Sequence, residues 1–154
     1  MRSKDQTEVE WCMRAAGQVV REKPEVPDDE TLRLRAALTL EEVLEKAKAL
    51  GFHLHASCCG CDVAKVSNID IDDAYEPNIV EIADACADII VVVLGTLSAL
   101  GIDADAVLDE VHRANKAKFP GGKAILREDG KYLKPEGWQP PDIAGVLKAQ
   151  GWSG

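Results

Sequence analysis

The sequence predicts an all-α fold, and three observations carry that expectation. Aromatic residues make up only 5 % of the chain while Ala is plentiful, which favours helices over a β-sandwich. Apolar residues recur at helical spacing in four segments. Each segment is closed by Gly or Pro where a helix should stop. At 154 residues one domain is expected, residues 1–154, with a helical core over about 7–118 and an extended tail over 119–154.

The first helical segment is expected from about Thr7 to Arg21, ended by Lys23-Pro24 and a turn at Pro27. Asp28 or Asp29 can cap the second, which continues to about Leu50 and stops at Gly51. A loop-like stretch rich in Cys, Asp and Asn follows from Phe52 to Glu76. Pro77 opens the third helix, at the position where a missing N–H costs nothing, and that helix runs to Leu100 before Gly101. Asp103 caps the fourth, which runs to about Lys118 and ends at Phe119-Pro120-Gly121-Gly122. The tail turns at Gly130 and Gly137, and a last short helix covers Asp142 to Gln150.

Charge narrows the function classes. Lys and Arg number 18 against 27 Asp and Glu, a net charge of −9 that repels phosphate backbones and anionic bilayers alike. Neither nucleic acid nor a membrane is therefore an expected partner. The longest charge-free run, Ile89–Ile102, is too short to span a bilayer. With no export signal visible behind Met1, the five Cys read as reduced thiols of a cytoplasmic protein.

The acids hold the chemical information. In the third helix the apolar side chains, Ile79 through Leu97, cover most of the circumference, so the helix is expected to be buried all round. Yet Glu81, Asp84 and Asp88 fall on one stripe roughly 60° wide at about 100° per residue, extended by Gly95. Like charges on a buried helix lose hydration and repel, so they require either bound cations or Lys and Arg partners. The second helix adds Glu41, Glu42 and Glu45 within Leu38-Thr39-Leu40-Glu41-Glu42-Val43-Leu44-Glu45. That run admits two readings: a solvated face paired in part with Lys46 and Lys48, or the other half of a carboxylate cluster. Oxygen-only ligands of this kind suit Mg²⁺ or Mn²⁺ rather than Zn²⁺.

These segments resemble a known family. Glu41-Glu42-x-x-Glu45, then Asp84-Ala-Cys-Ala-Asp88-Ile-Ile-Val-Val-Val-Leu-Gly-Thr, is similar to the MazG-like, all-α nucleoside triphosphate pyrophosphohydrolases. So are Glu110-Val-His112-Arg113-Ala-Asn115-Lys116-Ala-Lys118 and the tail Lys131-Tyr-Leu-Lys134-Pro-Glu-Gly137-Trp138-Gln-Pro-Pro-Asp142. The likeness covers roughly residues 8 to 148, apart from 52–73. It implies a MazG-like four-helix core assembling as a homodimer or homotetramer. It implies hydrolysis of a (deoxy)nucleoside triphosphate to monophosphate and pyrophosphate with Mg²⁺ (or Mn²⁺), in nucleotide-pool control. Related folds act on phosphoribosyl-ATP or dUTP.

Carried over residue by residue, the family's E-x-x-E falls on Glu42 and Glu45, and the final Asp of its E-x-x-D on Asp88. Ala85 stands where the second Glu is expected, so Asp84, or Glu81 one turn away, is the replacement. The metal ligands are thus expected to be Glu42, Glu45 and Asp88, then Asp84 and Glu81, with Glu41 as the base. Arg113, Asn115, Lys116 and Lys118 are expected to grip pyrophosphate, and Lys131, Lys134 and Trp138 to close over a neighbouring site.

Other residues stay open. His53-x-His55-x-x-Cys58-Cys59-x-Cys61 carries zinc-type ligands at a spacing no common finger uses. A non-enzymatic helical module with zinc in this loop is the rival function. Cys12 and Cys86 read as core, and Trp11 as core or as a stacking surface for a base.

Overall fold

The computed structural model describes residues 2–56, 69–73, 75–123 and 134–154, with 55–56 and 69–73 described by their backbone. Five α-helices stand among the described residues: α1 (Lys4–Ala15), α2 (Asp29–Ala49), α3 (Ile79–Ala99), α4 (Ala104–Lys116) and α5 (Ile143–Ala149). The fold is all-α, with one two-stranded addition. The segment expected as a loop forms an antiparallel hairpin, β1 (Phe52–Ala56) paired with β2 (Ile69–Asp73), with His53 opposite Asp72 and Leu54 opposite Ile71. The period-two signal lies in the sequence, as Ile69-Asp70-Ile71-Asp72, and the polar composition around it masks it. Two compact units make up the chain: residues 28–96, and residues 1–27 with 97–154.

In the unit of residues 28–96, local chemistry fixes both helix starts. Asp28 Oδ1 accepts from the Thr31 N–H at 2.8 Å and caps α2. Asn78, not Pro77, opens α3: its Oδ1 accepts from Val80 N–H at 3.0 Å and Glu81 N–H at 3.4 Å. Pro77 lies one residue outside, because a side-chain acceptor satisfies the free N–H groups and proline offers none. Gly51 ends α2 with φ +94°, and a Cβ there would stand 2.3 Å from the Tyr75 carbonyl oxygen, so only glycine fits. The close approach lets Tyr75 N–H donate to Gly51 O and Asn78 N–H donate to Ala49 O, each at 2.9 Å. The C-terminal end of α2 is thereby tied to the N-terminal end of α3.

In the other unit, α1 starts earlier than expected because Ser3 Oγ accepts from Gln6 N–H at 3.2 Å, and it stops at Ala15 before Gly17. The core is polar in part. Gln6 is fully buried and Glu10 is 5 % exposed. Gln6 Nε2 donates to Ser98 Oγ at 3.0 Å and to Ile102 O at 2.7 Å, while its Oε1 accepts from Ala104 N–H at 3.0 Å. Glu10 accepts from Ser98 Oγ at 3.1 Å and pairs with Arg2. Gly101 has φ +75°, and a Cβ would lie 2.0 Å from the Lys23 carbonyl oxygen, which explains the glycine between α3 and α4. Asp103 caps α4 as expected, with Oδ1 3.1 Å from Asp105 N, and Asp142 caps α5 with Oδ1 2.9 Å from Gly145 N.

Burial departs from expectation in three places. The helix read as buried all round leaves Ile79 81 % and Val80 74 % exposed, with Ile90, Val91 and Val93 exposed too. Its buried positions are small: Ala85, Gly95, Ser98 and Ala99. Small residues admit close packing along one stripe, and among the described residues the remaining apolar side chains of the helix are exposed or only partly covered. Trp11, read as core or base platform, is 69 % exposed, which excludes the core. Cys12 is exposed and Cys86 only partly covered, so neither is a core thiol. Among the described residues no single helix is long and apolar enough to cross a membrane.

Candidate functional site

The tie between α2 and α3 sets two acidic helix ends side by side. A cavity of about 310 Å³ opens there, lined by Glu45, Lys48 and Ala49 of α2 and by Glu81, Asp84, Ala85 and Asp88 of α3. The spacing explains the lining. Residues 45, 48 and 49, and residues 81, 84, 85 and 88, each follow the three- and four-residue steps that return to one helix face. Ala85 and Ala49 are buried, and their lack of side-chain bulk leaves the space open. The acid stripe read from the sequence is therefore one wall of a cavity, and Glu45 faces it from the other helix.

Glu42, one turn before Glu45, belongs to the same electrostatic group. Burial, followed by the fields of Asp88, Glu45, Glu41 and Asp84, raises its pKa above the ordinary carboxylate range. Its Oε2 is buried and has no hydrogen-bond partner. A buried carboxylate oxygen without a donor is costly and calls for a cation or a proton. Glu41 is exposed and acts on Glu42 by its charge. As the side chains stand, no three His, Cys, Asp or Glu among the described residues form a ready-made ion cage. The fit to a divalent cation is one of donor chemistry: all-oxygen, multiply anionic, with one oxygen left unpartnered. Hard cations such as Mg²⁺ and Mn²⁺ match that set, and Zn²⁺ matches it poorly.

The residues expected to hold phosphate lie in the other unit, on the last turns of α4 and the tail. Arg113 is engaged by Glu110, with Nε and Nη2 each 2.7 Å from a carboxylate oxygen. Glu110 also accepts from Asp142 N–H at 2.7 Å. Trp138 Nε1 donates to Ala114 O at 2.7 Å, so tail residues 138–142 are strapped along α4. Lys118 Nζ donates to Asn115 Oδ1 at 2.8 Å and stands 5.4 Å from the Trp138 ring, while Lys134 Nζ stands 4.3 Å from it. Two ammonium groups gathered at one ring suit an anion with several oxygens. Lys131 lies outside the described residues, as do Cys58, Cys59 and Cys61 of the proposed zinc loop. His53 Nε2 is 2.9 Å from the Tyr75 hydroxyl at the base of the hairpin.

The Glu110 anchor has a pH signature. The Arg113 hydrogen bond, then that from Asp142 N–H, lowers the Glu110 pKa to about 2. A depressed carboxyl stabilises the folded state above its unfolded pKa, 4.5, and that contribution is lost as pH falls through the folded value. Loss of the Glu110 tie between α4 and Asp142 is therefore expected between about pH 4.5 and 2. The amide resonance of Asp142, followed by NMR, should shift over that window in the parent chain. In Glu110→Gln the part of that shift that comes from loss of the Glu110 hydrogen bond should vanish.

Sequence reasoning found the four carboxylates of the cavity wall but gave Lys48 only a pairing role. Its spacing, three residues after Glu45, is the signal that places it on the same face. The profile of the phosphoribosyl-ATP pyrophosphohydrolase family matches residues 10–115 of the chain, a stretch that includes every cavity residue. No curated protein matches the chain.

Proposed function

The chain belongs to the phosphoribosyl-ATP pyrophosphohydrolase family, within the MazG-like all-α pyrophosphohydrolases, and from that premise we propose that it hydrolyses a (deoxy)nucleoside triphosphate to the monophosphate and pyrophosphate in nucleotide-pool control. The single observation that carries the reading is the α2–α3 cavity, with four carboxylates on its wall and the unpartnered Glu42 Oε2 in their field.

In this reading Glu42, Glu45, Asp84 and Asp88 would hold Mg²⁺ or Mn²⁺, with Glu81 as a further ligand on the wall. When bound, the cations neutralise the phosphate oxygens and lower the pKa of a water. Glu41, exposed beside Glu42, takes the proton as water adds to the α phosphorus. The bond from the α phosphorus to the bridging oxygen breaks, and pyrophosphate leaves with that oxygen. Asp84, or Glu81 one turn away, supplies the carboxylate the family places at the start of E-x-x-D, since both line the cavity and Ala85 offers no donor.

A second copy of the chain is the proposed partner, in a homodimer or homotetramer. The exposed Leu40, Val43 and Leu44 of α2 and Ile79, Val80, Ile90 and Val91 of α3 support that reading, because apolar area of this kind is ordinarily covered in a soluble assembly.

One specific observation favours a second substrate: the matching profile is described by phosphoribosyl-ATP. Both substrates are cut at the same anhydride, so one assay separates them. Pyrophosphate release is measured for the eight common NTPs and dNTPs, dUTP and phosphoribosyl-ATP, with Mg²⁺, with Mn²⁺ and with EDTA. The expected result is release from at least one nucleoside triphosphate, abolished by EDTA and by Glu45→Ala. Release from phosphoribosyl-ATP alone selects the second substrate. No release from any, with about one zinc per chain by elemental analysis, overturns the enzyme reading in favour of the zinc-bearing module.

A further inference from the structure

Lys48 is the one positively charged side chain on the wall of the acidic cavity among the described residues. An ammonium beside four carboxylates is ordinarily drawn into an ion pair. Lys48 forms none among the described residues, although Glu45 is three residues away on the same face. Lys48 thus lines the cavity without being paired to any of its acids. Two roles for such a lysine can be separated. One is compensation of the negative helix end, because Lys48 lies in the last turn of α2; Lys46 lies in the same turn and does not line the cavity. The other is contact with a ligand that carries its own negative charge.

We propose that Lys48 is a phosphate-binding residue of this cavity, donating to an oxygen of the polyphosphate chain of the substrate and of the pyrophosphate product. The physical need is clear from the wall. Divalent cations offset the carboxylates, but a polyphosphate adds several negative charges of its own, and no other fixed positive group faces it there among the described residues. An ammonium cannot ligate a metal ion, so it acts on the ligand rather than on the cations. This inference rests on the cavity's being the phosphate site proposed above.

The test compares Lys48→Met with Lys46→Met and Lys48→Arg. Pyrophosphate binding in the presence of Mn²⁺ is measured by calorimetry, and Mn²⁺ alone by electron paramagnetic resonance. Lys48→Met is expected to weaken pyrophosphate about tenfold, the loss of one charge-assisted hydrogen bond. Lys48→Arg should restore most of it, and Lys46→Met should match the parent. Mn²⁺ alone should bind Lys48→Met at least as tightly as the parent, because a positive neighbour has been removed from the acids. Equal pyrophosphate affinity in Lys48→Met and Lys46→Met overturns the proposal. So does a parallel loss of Mn²⁺ itself in Lys48→Met, which marks a collapsed cavity. Because both readouts are binding measurements, they stand apart from turnover. A chain that hydrolyses no nucleotide but loses pyrophosphate through Lys48→Met retains this site and loses the hydrolytic reading.

Discussion

Glu42→Gln is expected to reduce pyrophosphate release more than about 100-fold and, in the metal-free chain at pH 7, to raise the thermal midpoint. The two effects have one cause. Burial and the fields of Asp88, Glu45, Glu41 and Asp84 push the Glu42 pKa up. A carboxyl with a raised folded pKa holds its proton more tightly in the folded state. Its contribution to stability is complete below the unfolded value, 4.5, and is lost as pH rises through the folded one. Ionisation of Glu42 is therefore a local strain, and its Oε2 has no donor to relieve it. The neutral amide removes the repulsion and brings donors of its own. Calorimetric scans in EDTA should show the variant melting above the parent at pH 7, with the difference closing below about pH 4.5. Saturating Mg²⁺ should reverse the order, since ligand that binds only the folded parent stabilises it by mass action. Equal stabilisation of both chains by Mg²⁺, or activity retained within tenfold, would remove Glu42 from the metal set.

Gln6→Leu is expected to give a large loss of stability in the unit of residues 1–27 and 97–154. The amide is fully buried and serves three partners: the Ser98 hydroxyl, the Ile102 carbonyl and the Ala104 N–H at the start of α4. Leucine of similar size leaves the last two as buried backbone groups without partners, each costing about 1–3 kcal/mol. A loss of about 2–5 kcal/mol follows, which lowers the midpoint by on the order of 10 °C. Ser98→Ala is the graded control, because it removes the hydroxyl that links Gln6 to Glu10 while leaving the two backbone pairs of Gln6 intact, and should cost about 1–3 kcal/mol. A Gln6→Leu midpoint within about 2 °C of the parent would show that the amide is not holding α4 in place.

Two caps and two stops were legible in the sequence because their chemistry is local. Asp28 and Asp103 each accept from an N–H two or three residues on, and Gly51 and Gly101 end helices where a Cβ would meet a carbonyl, whereas the Ser3 and Asn78 caps were not read. The acid stripe of α3 was legible for the same reason: helical spacing alone puts Glu81, Asp84 and Asp88 on one face. The hairpin was not, because two five-residue strands separated by twelve residues pair through contacts that local composition does not announce.

By itself, then, the sequence determined an all-α chain with capped helices, an acidic pair of helix faces and a family likeness that the profile match bears out. Only the tertiary structure decided that Lys48 and the acids line one cavity, that Oε2 of Glu42 is buried without a partner, and that Ile79, Val80, Ile90, Val91 and Val93 of α3 are exposed among the described residues. Element formation is governed by neighbours a few residues apart. Hydration and charge pairing are governed by whatever distant segment is brought alongside, and here two backbone hydrogen bonds between the end of α2 and the start of α3 do that bringing.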